Sequence, residues 1–322
     1  MSLISTGTVV GGHYQIINHL GGGAFGQTYV AIDLHLPNKP KCVVKQFKPK
    51  KTSQGALSKA KDLFDKEADV LYKLGDHTQI PRLLAHFEDD YEFYLVQELI
   101  EGDCVEKILN GKKILSENQT INMLSSLLKV LEFVHSQHII HRDIKPSNLI
   151  KRSRGGHIVL IDFGAIKERT FPSHPDASPT TTISIGTKGY MPNEQANGKP
   201  QFSSDLYSVG VVGIQAVTGE LPDEDSYTGE LSWRNKAQTS SEFADFLDKM
   251  VCCDYRQRYE TAAVAREFLR EIINTRRIAL QEKSDARKHN QQKNYNQNFS
   301  RESSTEEQVL VPIKRNKLFG IF

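Results

Sequence analysis

Cysteine is scarce in this chain. Cys42, Cys104, Cys252 and Cys253 are the only four in 322 residues. They form no Cys-x-x-Cys pair and have no histidine at zinc-ligand spacing, which excludes a dense disulfide framework and leaves reduced cytosolic thiols as the expectation. No uninterrupted apolar run of about 18 residues exists, so no membrane-spanning helix is expected. Met1 to Tyr14 lacks the basic start and apolar core of a secretory signal. An excess of one charge is missing too. Lys and Arg number 41 against 39 Asp and Glu, a formal net charge of +2, which supplies no bulk field to gather nucleic acid. What remains is an ordinary globular composition, 38% hydrophobic and 25% charged, long enough for one two-lobed domain or two small ones. A cytoplasmic protein without a nucleic-acid partner is expected.

The periodicity changes along the chain. From Tyr14 to Glu98 it is mostly β-like, with short runs at Tyr14–Leu20, Gln27–Asp33, Lys41–Phe47, Leu83–Glu88 and Phe93–Glu98. One helical segment interrupts them, about Leu57–Leu74, with Phe64, Ala68 and Leu71 on one face and Gly75 placed to end it. After Gly102 the pattern turns helical: Leu124, Leu127, Leu128, Leu131 and Val134 form a stripe introduced by a capping box at Ser116 and Gln119. A short β-branched run, Ile158–Ile161, and a Ser/Thr/Pro-rich stretch from Thr170 to Ser184 precede further helices at about Ser204–Thr218, Ser240–Cys252 and Thr261–Ile273. Beyond Asn274 polar residues dominate, which predicts a disordered tail over 274–322.

Three strings carry chemistry. Gly21-Gly22-Gly23-Ala24-Phe25-Gly26 holds a GxGxxG spacing, which alone fits a dinucleotide turn, a phosphate lid or a plain flexible turn. A dinucleotide turn opens a helix after its third glycine, whereas a β-like run through Tyr29 and Val30 follows here, as in a hairpin lying over a nucleotide. Lys45 ends the apolar strand Cys42-Val43-Val44. A lone strand-end lysine is ordinarily a solvated charge, and Glu67 alone a surface helix residue; together they form a pair able to hold phosphates. The decisive strings are His141-Arg142-Asp143-Ile144-Lys145-Pro146-Ser147-Asn148 and Asp162-Phe163-Gly164. Phosphoryl transfer calls for a carboxylate to take the hydroxyl proton, a cation at the γ-phosphate and oxygen ligands for a divalent metal. Asp143, Lys145, and the pair Asn148 and Asp162 supply those types in that order.

Over about Tyr14 to Ile273 the chain resembles a Hanks-type protein kinase of the bacterial Ser/Thr branch. The resemblance implies an α+β, two-lobed fold: a small antiparallel-sheet lobe over 14–99 with one helix, a mostly helical lobe over 100–273, and an extension at 1–13. It implies ATP with Mg²⁺ or Mn²⁺, catalytic roles for Asp143, Lys145, Lys45 and Glu67, and metal ligation by Asn148 and Asp162. The nucleotide would lie under Gly21, Gly22, Gly23, Ala24, Phe25, Gly26 and Thr28, with adenine against Val43 and Ile150. Backbone contacts would come from Glu98 and Ile100, and Gln97 would be the gatekeeper. Lys-Pro-x-Asn after Asp143 resembles the Ser/Thr-specific members, and Gly186-Thr187-Lys188-Gly189-Tyr190 the segment that positions a substrate peptide, with Thr187 reaching Asp143 and Lys145. Glu194 and Arg258 resemble a structural ion pair, and Asp205 a brace of the catalytic loop.

The departures are small. Pro192-Asn193-Glu194 stands where the family has Ala-Pro-Glu, and Thr28 where valine is commoner. Arg142 beside Asp143 accompanies control by phosphorylation in the family, and autophosphorylation among Thr180, Thr181 and Thr182 is expected. Two rival readings, a pseudokinase scaffold and a small-molecule phosphotransferase, are disfavoured by the presence of Lys45, Asp143 and Asp162 and of the segment around Thr187.

Overall fold

The structure, a computed structural model, describes residues 3–23, 26–47, 54–89, 92–163, 189–225 and 227–306. Its first compact unit is Met1–Arg270. The unit opens with an antiparallel sheet of six strands among the described residues: β1 (Val9–Val10), β2 (Tyr14–Gly23), β3 (Gly26–Asp33), β4 (Lys41–Phe47), β5 (Leu83–Asp89) and β6 (Glu92–Glu98), in the spatial order β1-β2-β3-β4-β6-β5. β2 and β3 form the hairpin expected from the glycine string, closing at the Gly23 and Gly26 pair.

Register decides which side chains share a face. Lys45 lies opposite Thr28 on β3 and Leu95 on β6, and Val43 lies opposite Val30 and Gln97. Directly paired residues project to the same side of a sheet, so these six share one face. Helix α1 (Gln54–Leu74) contacts β5 and β6. The ring of its buried Phe64 lies tilted 5.3 Å from that of Phe93 and meets Phe47 edge-on at 5.6 Å. The opposite face is a separate core of Tyr29, Ala31, Cys42, Val44, Tyr94 and Val96, and the chain's first residues contribute to it through Ile4, Val10 and Tyr14. Residues 3–13, set apart in the sequence reading as an extension, therefore help cover the sheet: Gly7 N–H donates to Ile16 O, and Val9 and Val10 pair with β2.

A second sheet follows, with β7 (Gly102–Cys104), β8 (Leu149–Arg152) and β9 (Ile158–Leu160) in that order. Helices α2 (Val105–Leu109) and α3 (Glu117–Ser136) lie between β7 and β8 in sequence. Ser116 and Gln119 cap α3 reciprocally, as the capping-box spacing predicts. The remaining elements are α4 (Asn193–Ala196), α5 (Phe202–Thr218), the two-stranded pair β10 (Asp223–Glu224) and β11 (Leu231–Ser232), α6 (Ser241–Met250) and α7 (Ala262–Glu306). α5 is buried nearly all round and packs against both α3 and α6. Gly210 and Gly213 permit this, because a Cβ on either would fall under 3.0 Å from Met250, Val251, Leu247 or Leu124. The α+β, two-lobed class is borne out.

The tail corrects the sequence reading. The expected disordered segment from Asn274 is instead a continuation of α7 as far as Glu306. Its first turns bury Ala262, Ala265 and Leu269 in the first unit. Residues 281–291, within the second unit Glu271–Phe322, are exposed throughout. Low hydrophobicity correctly signals the exposure of residues 281–291, but Gln, Lys, Arg, Glu and Ala are good helix formers without any burial. Residues 307–322 lie outside the described residues. Among the described residues no helix is long and apolar enough to cross a membrane.

Candidate active site

Lys45 and Glu67 meet across the sheet and α1. Lys45 Nζ lies 3.2 Å from Glu67 Oε1 and 3.2 Å from Asp162 Oδ1. Glu67 is 2% exposed, so this carboxylate is held in a largely desolvated place by its partner. Burial alone would lower the Lys45 ammonium, but the Asp162 and Glu67 carboxylates outweigh it and hold its pKa above the ordinary lysine value. The lysine is therefore cationic at every working pH.

The catalytic-loop residues form a second cluster. Asn148 Nδ2 donates to Asp143 O and to Asp143 Oδ2, both at 2.8 Å. Lys145 Nζ lies 3.2 Å from the same Asp143 oxygen. A short 3₁₀ turn, Pro146–Asn148, brings Asn148 back, with Asn148 N–H donating to Lys145 O. Proline suits its first position because no N–H is needed there. Asn148 O in turn accepts from Ile161 N–H, which sets the residue before Asp162 beside the loop. The two clusters thus share one seam, where β8 begins and β9 ends.

His141 stabilises that seam. It is buried, accepts from Asp143 N–H at Nδ1 and donates from Nε2 to Ile161 O at 3.1 Å. Burial lowers its pKa despite three nearby carboxylates, so it works as a neutral hydrogen-bonding spacer. Its ring packs 4.7 Å from Phe163. Arg142 and Asp162 both take positive φ, 67° and 65°, a backbone state that costs non-glycine residues about 1–3 kcal/mol. Asp205 on α5 holds the first of them: its carboxylate accepts from His141 N–H and Arg142 N–H, both at 2.9 Å, and lies 2.8 Å from His135 Nε2.

The other expected site residues are placed as follows. Thr28 and Val43 share the Lys45 face, and Ile150 lies opposite Cys104 and Val159 in the second sheet. Glu98 and Ile100 lie at the end of β6 and just after it; the Glu98 side chain turns to Arg152 Nη2 at 3.3 Å, and its N–H donates to Arg82 O. Gly21 has φ +149°, a region glycine favours. Gly22 is in the same strand. Gly26 is required for a different reason, since a Cβ there would collide with Gln46 O on β4. Gly23 closes β2, while Ala24, Phe25, Gly164, Thr180, Thr181, Thr182 and Thr187 lie outside the described residues.

Two supporting residues escaped the sequence reading. Gln195 Nε2 donates to Arg142 O at 2.6 Å. Gln79 Nε2 donates to Ser126 O and Ile158 O, each at 2.8 Å, while its backbone carbonyl accepts from Leu160 N–H. A glutamine carries no spacing signal, and neither could have been found from sequence. Glu194 and Arg258 do pair as expected, bidentately at 2.6 and 3.2 Å. Arg258 also donates to the carbonyls of Cys252, Ser203 and Cys253. Lysine cannot reproduce that fork. Arg258→Lys should therefore lower unfolding free energy by about 2–3 kcal/mol, read from urea unfolding. A change under about 0.5 kcal/mol, the usual size at an indifferent surface site, would show that the fork is dispensable.

The fold and this pair of clusters define a phosphotransferase architecture of two lobes. The model of the protein kinase domain matches residues 14–270, and the chain belongs to the protein kinase family. It is 42% identical over 265 residues to the serine/threonine-protein kinase PknA of Nostoc sp., covering 80% of this chain and 46% of that protein. It is 41% identical over 258 residues to serine/threonine-protein kinase B of Synechocystis sp., covering 78% of this chain and 45% of that protein. The chain thus spans about half the length of these curated relatives. Among solved structures, the apo form of PpkA-294 superposes with a TM-score of 0.69 at 20% identity, covering 83% of this chain and 99% of that one. The PknI kinase domain of Mycobacterium tuberculosis gives 0.64 at 18%, covering 84% and 99%. These two show the shared fold.

Proposed function

We propose that the chain is a protein serine/threonine kinase, moving the γ-phosphoryl group of ATP to Ser or Thr hydroxyls of protein substrates and to its own Thr180, Thr181 or Thr182. The observation that carries this reading is the seam described above: Lys45 bridging Glu67 and Asp162, beside a loop in which Asp143, Lys145 and Asn148 are mutually bonded. The names of the curated relatives and the Lys145-Pro146-Ser147-Asn148 string support Ser and Thr as acceptors. Free thiols at all four cysteines support a cytoplasmic place of work.

In this reading Asp143 accepts a hydrogen bond from the substrate hydroxyl, orients its oxygen toward phosphorus and takes its proton as the new bond forms. Lys145, already against Asp143 Oδ2, places a positive charge where the transferred group gathers negative charge. Lys45, kept ionised and fixed by Glu67, orients the phosphates. The donor set fits Mg²⁺: with Nδ2 committed to Asp143, Asn148 retains Oδ1, and Asp162 adds a carboxylate, both hard oxygen ligands. Among the described residues no group of three His, Cys, Asp or Glu could hold a metal ion. When bound, Mg²⁺ neutralises phosphate charge.

The test is transfer from γ-labelled ATP with Mg²⁺ to a generic basic protein, followed by phosphoamino-acid analysis. Wild type should place label on Ser or Thr, and Asp143→Asn should slow transfer by about 10²-fold or more. An ATP-binding wild type that transfers nothing would overturn the reading in favour of a scaffold.

A further inference from the structure

The peptide unit that joins Arg142 to Asp143 is held at both ends. Its N–H, on Asp143, donates to His141 Nδ1 at 3.3 Å, and its carbonyl oxygen, on Arg142, accepts from Gln195 Nε2 at 2.6 Å. The unit is planar and turns only about ψ of Arg142 and φ of Asp143, so a bond that fixes the plane also fixes the direction in which the Asp143 side chain leaves the loop. The bond to His141 is long and the one from Gln195 short, which makes Gln195 the firmer tie. Arg142 needs such ties, because its φ is +67° and a non-glycine residue stays in that region only where its surroundings over-determine it. Asp205 holds the Arg142 N–H at 2.9 Å, and Gln195 holds the carbonyl. Gln195 is itself firmly mounted. It stands on α4, a single turn closed by Ala196 N–H on Pro192 O and Asn197 N–H on Asn193 O. The residue before it, Glu194, is gripped by Arg258 and accepts from Ser204 Oγ at 2.6 Å. Gln195 Oε1 is buried with no partner among the described residues. Arg142 O can only accept, so the amide must turn its Nε2 that way, and its oxygen is left without a donor at a cost in free energy.

We propose that Gln195 is a positioning residue for phosphoryl transfer: through the Arg142 carbonyl it sets the direction of Asp143, and it ties that carboxylate to the stretch Gly189 to Pro192 that leads into α4. The role rests on the kinase reading given above. Gln195 touches neither Lys45 nor Asp162, and α4 keeps its Glu194 anchor when the glutamine is replaced. Binding of nucleotide and of the protein acceptor is therefore left intact, and what is lost is the alignment of the acceptor hydroxyl by Asp143.

The test compares Gln195→Met and Gln195→Lys with wild type in transfer from γ-labelled ATP with Mg²⁺ to a generic basic protein, varying each substrate in turn. Both replacements are unbranched and long enough to reach Arg142 O, but only lysine brings an N–H donor. Gln195→Met should lower kcat at least about tenfold while KM for ATP and for the acceptor stays within about twofold, the pattern left when an interaction that matters only in the transition state is removed. Gln195→Lys should recover most of that loss. Unfolding midpoints are measured beside the rates and kcat is taken per folded molecule, which separates alignment from folding. A Gln195→Met protein with wild-type kcat, equal kcat in the two variants, or a rise in KM at unchanged kcat would overturn the proposal. A wild type that transfers no phosphate would overturn the kinase reading and this role with it, whereas an active wild type with an equally active Gln195→Met would overturn this role alone.

Discussion

Asp162→Ala should reduce Mg²⁺-dependent transfer by at least about 10³-fold while the protein stays folded. The side chain is 45% exposed, and its positive φ belongs to a backbone that the Asn148 and His141 bonds to Ile161 already hold. Truncation removes no buried packing, so the unfolding temperature should barely move. What it removes is one of two oxygen donors offered to the metal and one of two carboxylates that keep Lys45 in place. Lys45 retains Glu67, which lies at the same distance. Nucleotide affinity without metal should therefore change little, while the gain in affinity on adding Mg²⁺ should disappear. Measuring nucleotide binding with and without Mg²⁺ beside the transfer rate separates these roles. A variant that still transfers at near the wild-type rate would remove Asp162 from the metal site.

Much of this site is legible because phosphoryl transfer places several charged groups at fixed separations along one chain. Asp143, Lys145 and Asn148 fall within six residues, so a single loop conformation brings them together. Lys45 and Glu67 are legible as a pair because strand and helix periodicities place each on the face that turns toward the other. The strand ends follow the same logic: the Lys41–Phe47 run has its expected ends, and the hairpin differs in including Gly21 to Gly23 within β2 and Gly26 within β3. Three features lie beyond the pattern. β1 has two residues, too few for any period to show. β7 and β8 are short strands whose pairing joins residues nearly fifty apart, and only Ile158–Ile161 in that sheet carried a β-branched signal. The length of α7 was missed because burial, which the composition reports, and helix propensity, which it does not, point in opposite directions there.

The brace on α5 is where fold and chemistry are most tightly joined, and Asp205→Ala should impair both. Asp205 is fully buried, and burial alone would raise its pKa; the bond from His135, the charge there and the Arg142 N–H overcome this and hold it below the ordinary 3.8. Its removal orphans the buried N–H of His141 and the partly buried N–H of Arg142 and takes the acceptor from the partly buried His135 imidazole, for a loss of about 3–5 kcal/mol in unfolding free energy. Because the folded pKa is depressed, this contribution is present above the unfolded value and is lost as pH falls through the folded one. The gap between wild type and variant should thus be full at neutral pH and shrink below about pH 4. Function should fall further than stability requires. The positive φ of Arg142 has Asp205 as its anchor, and relaxing it turns the carboxylate of the next residue, Asp143, away from its working position. Assayed at low temperature, where the variant remains folded, transfer should still be down by about 10²-fold or more, the price of misplacing a catalytic group by an ångström. Asp205→Asn, which keeps one acceptor oxygen, should fall between the two in both measurements. Normal transfer per folded molecule would make Asp205 a purely structural residue, whereas loss of transfer at unchanged stability would mean that the loop holds its shape without the brace and that the carboxylate acts on Asp143 through its charge.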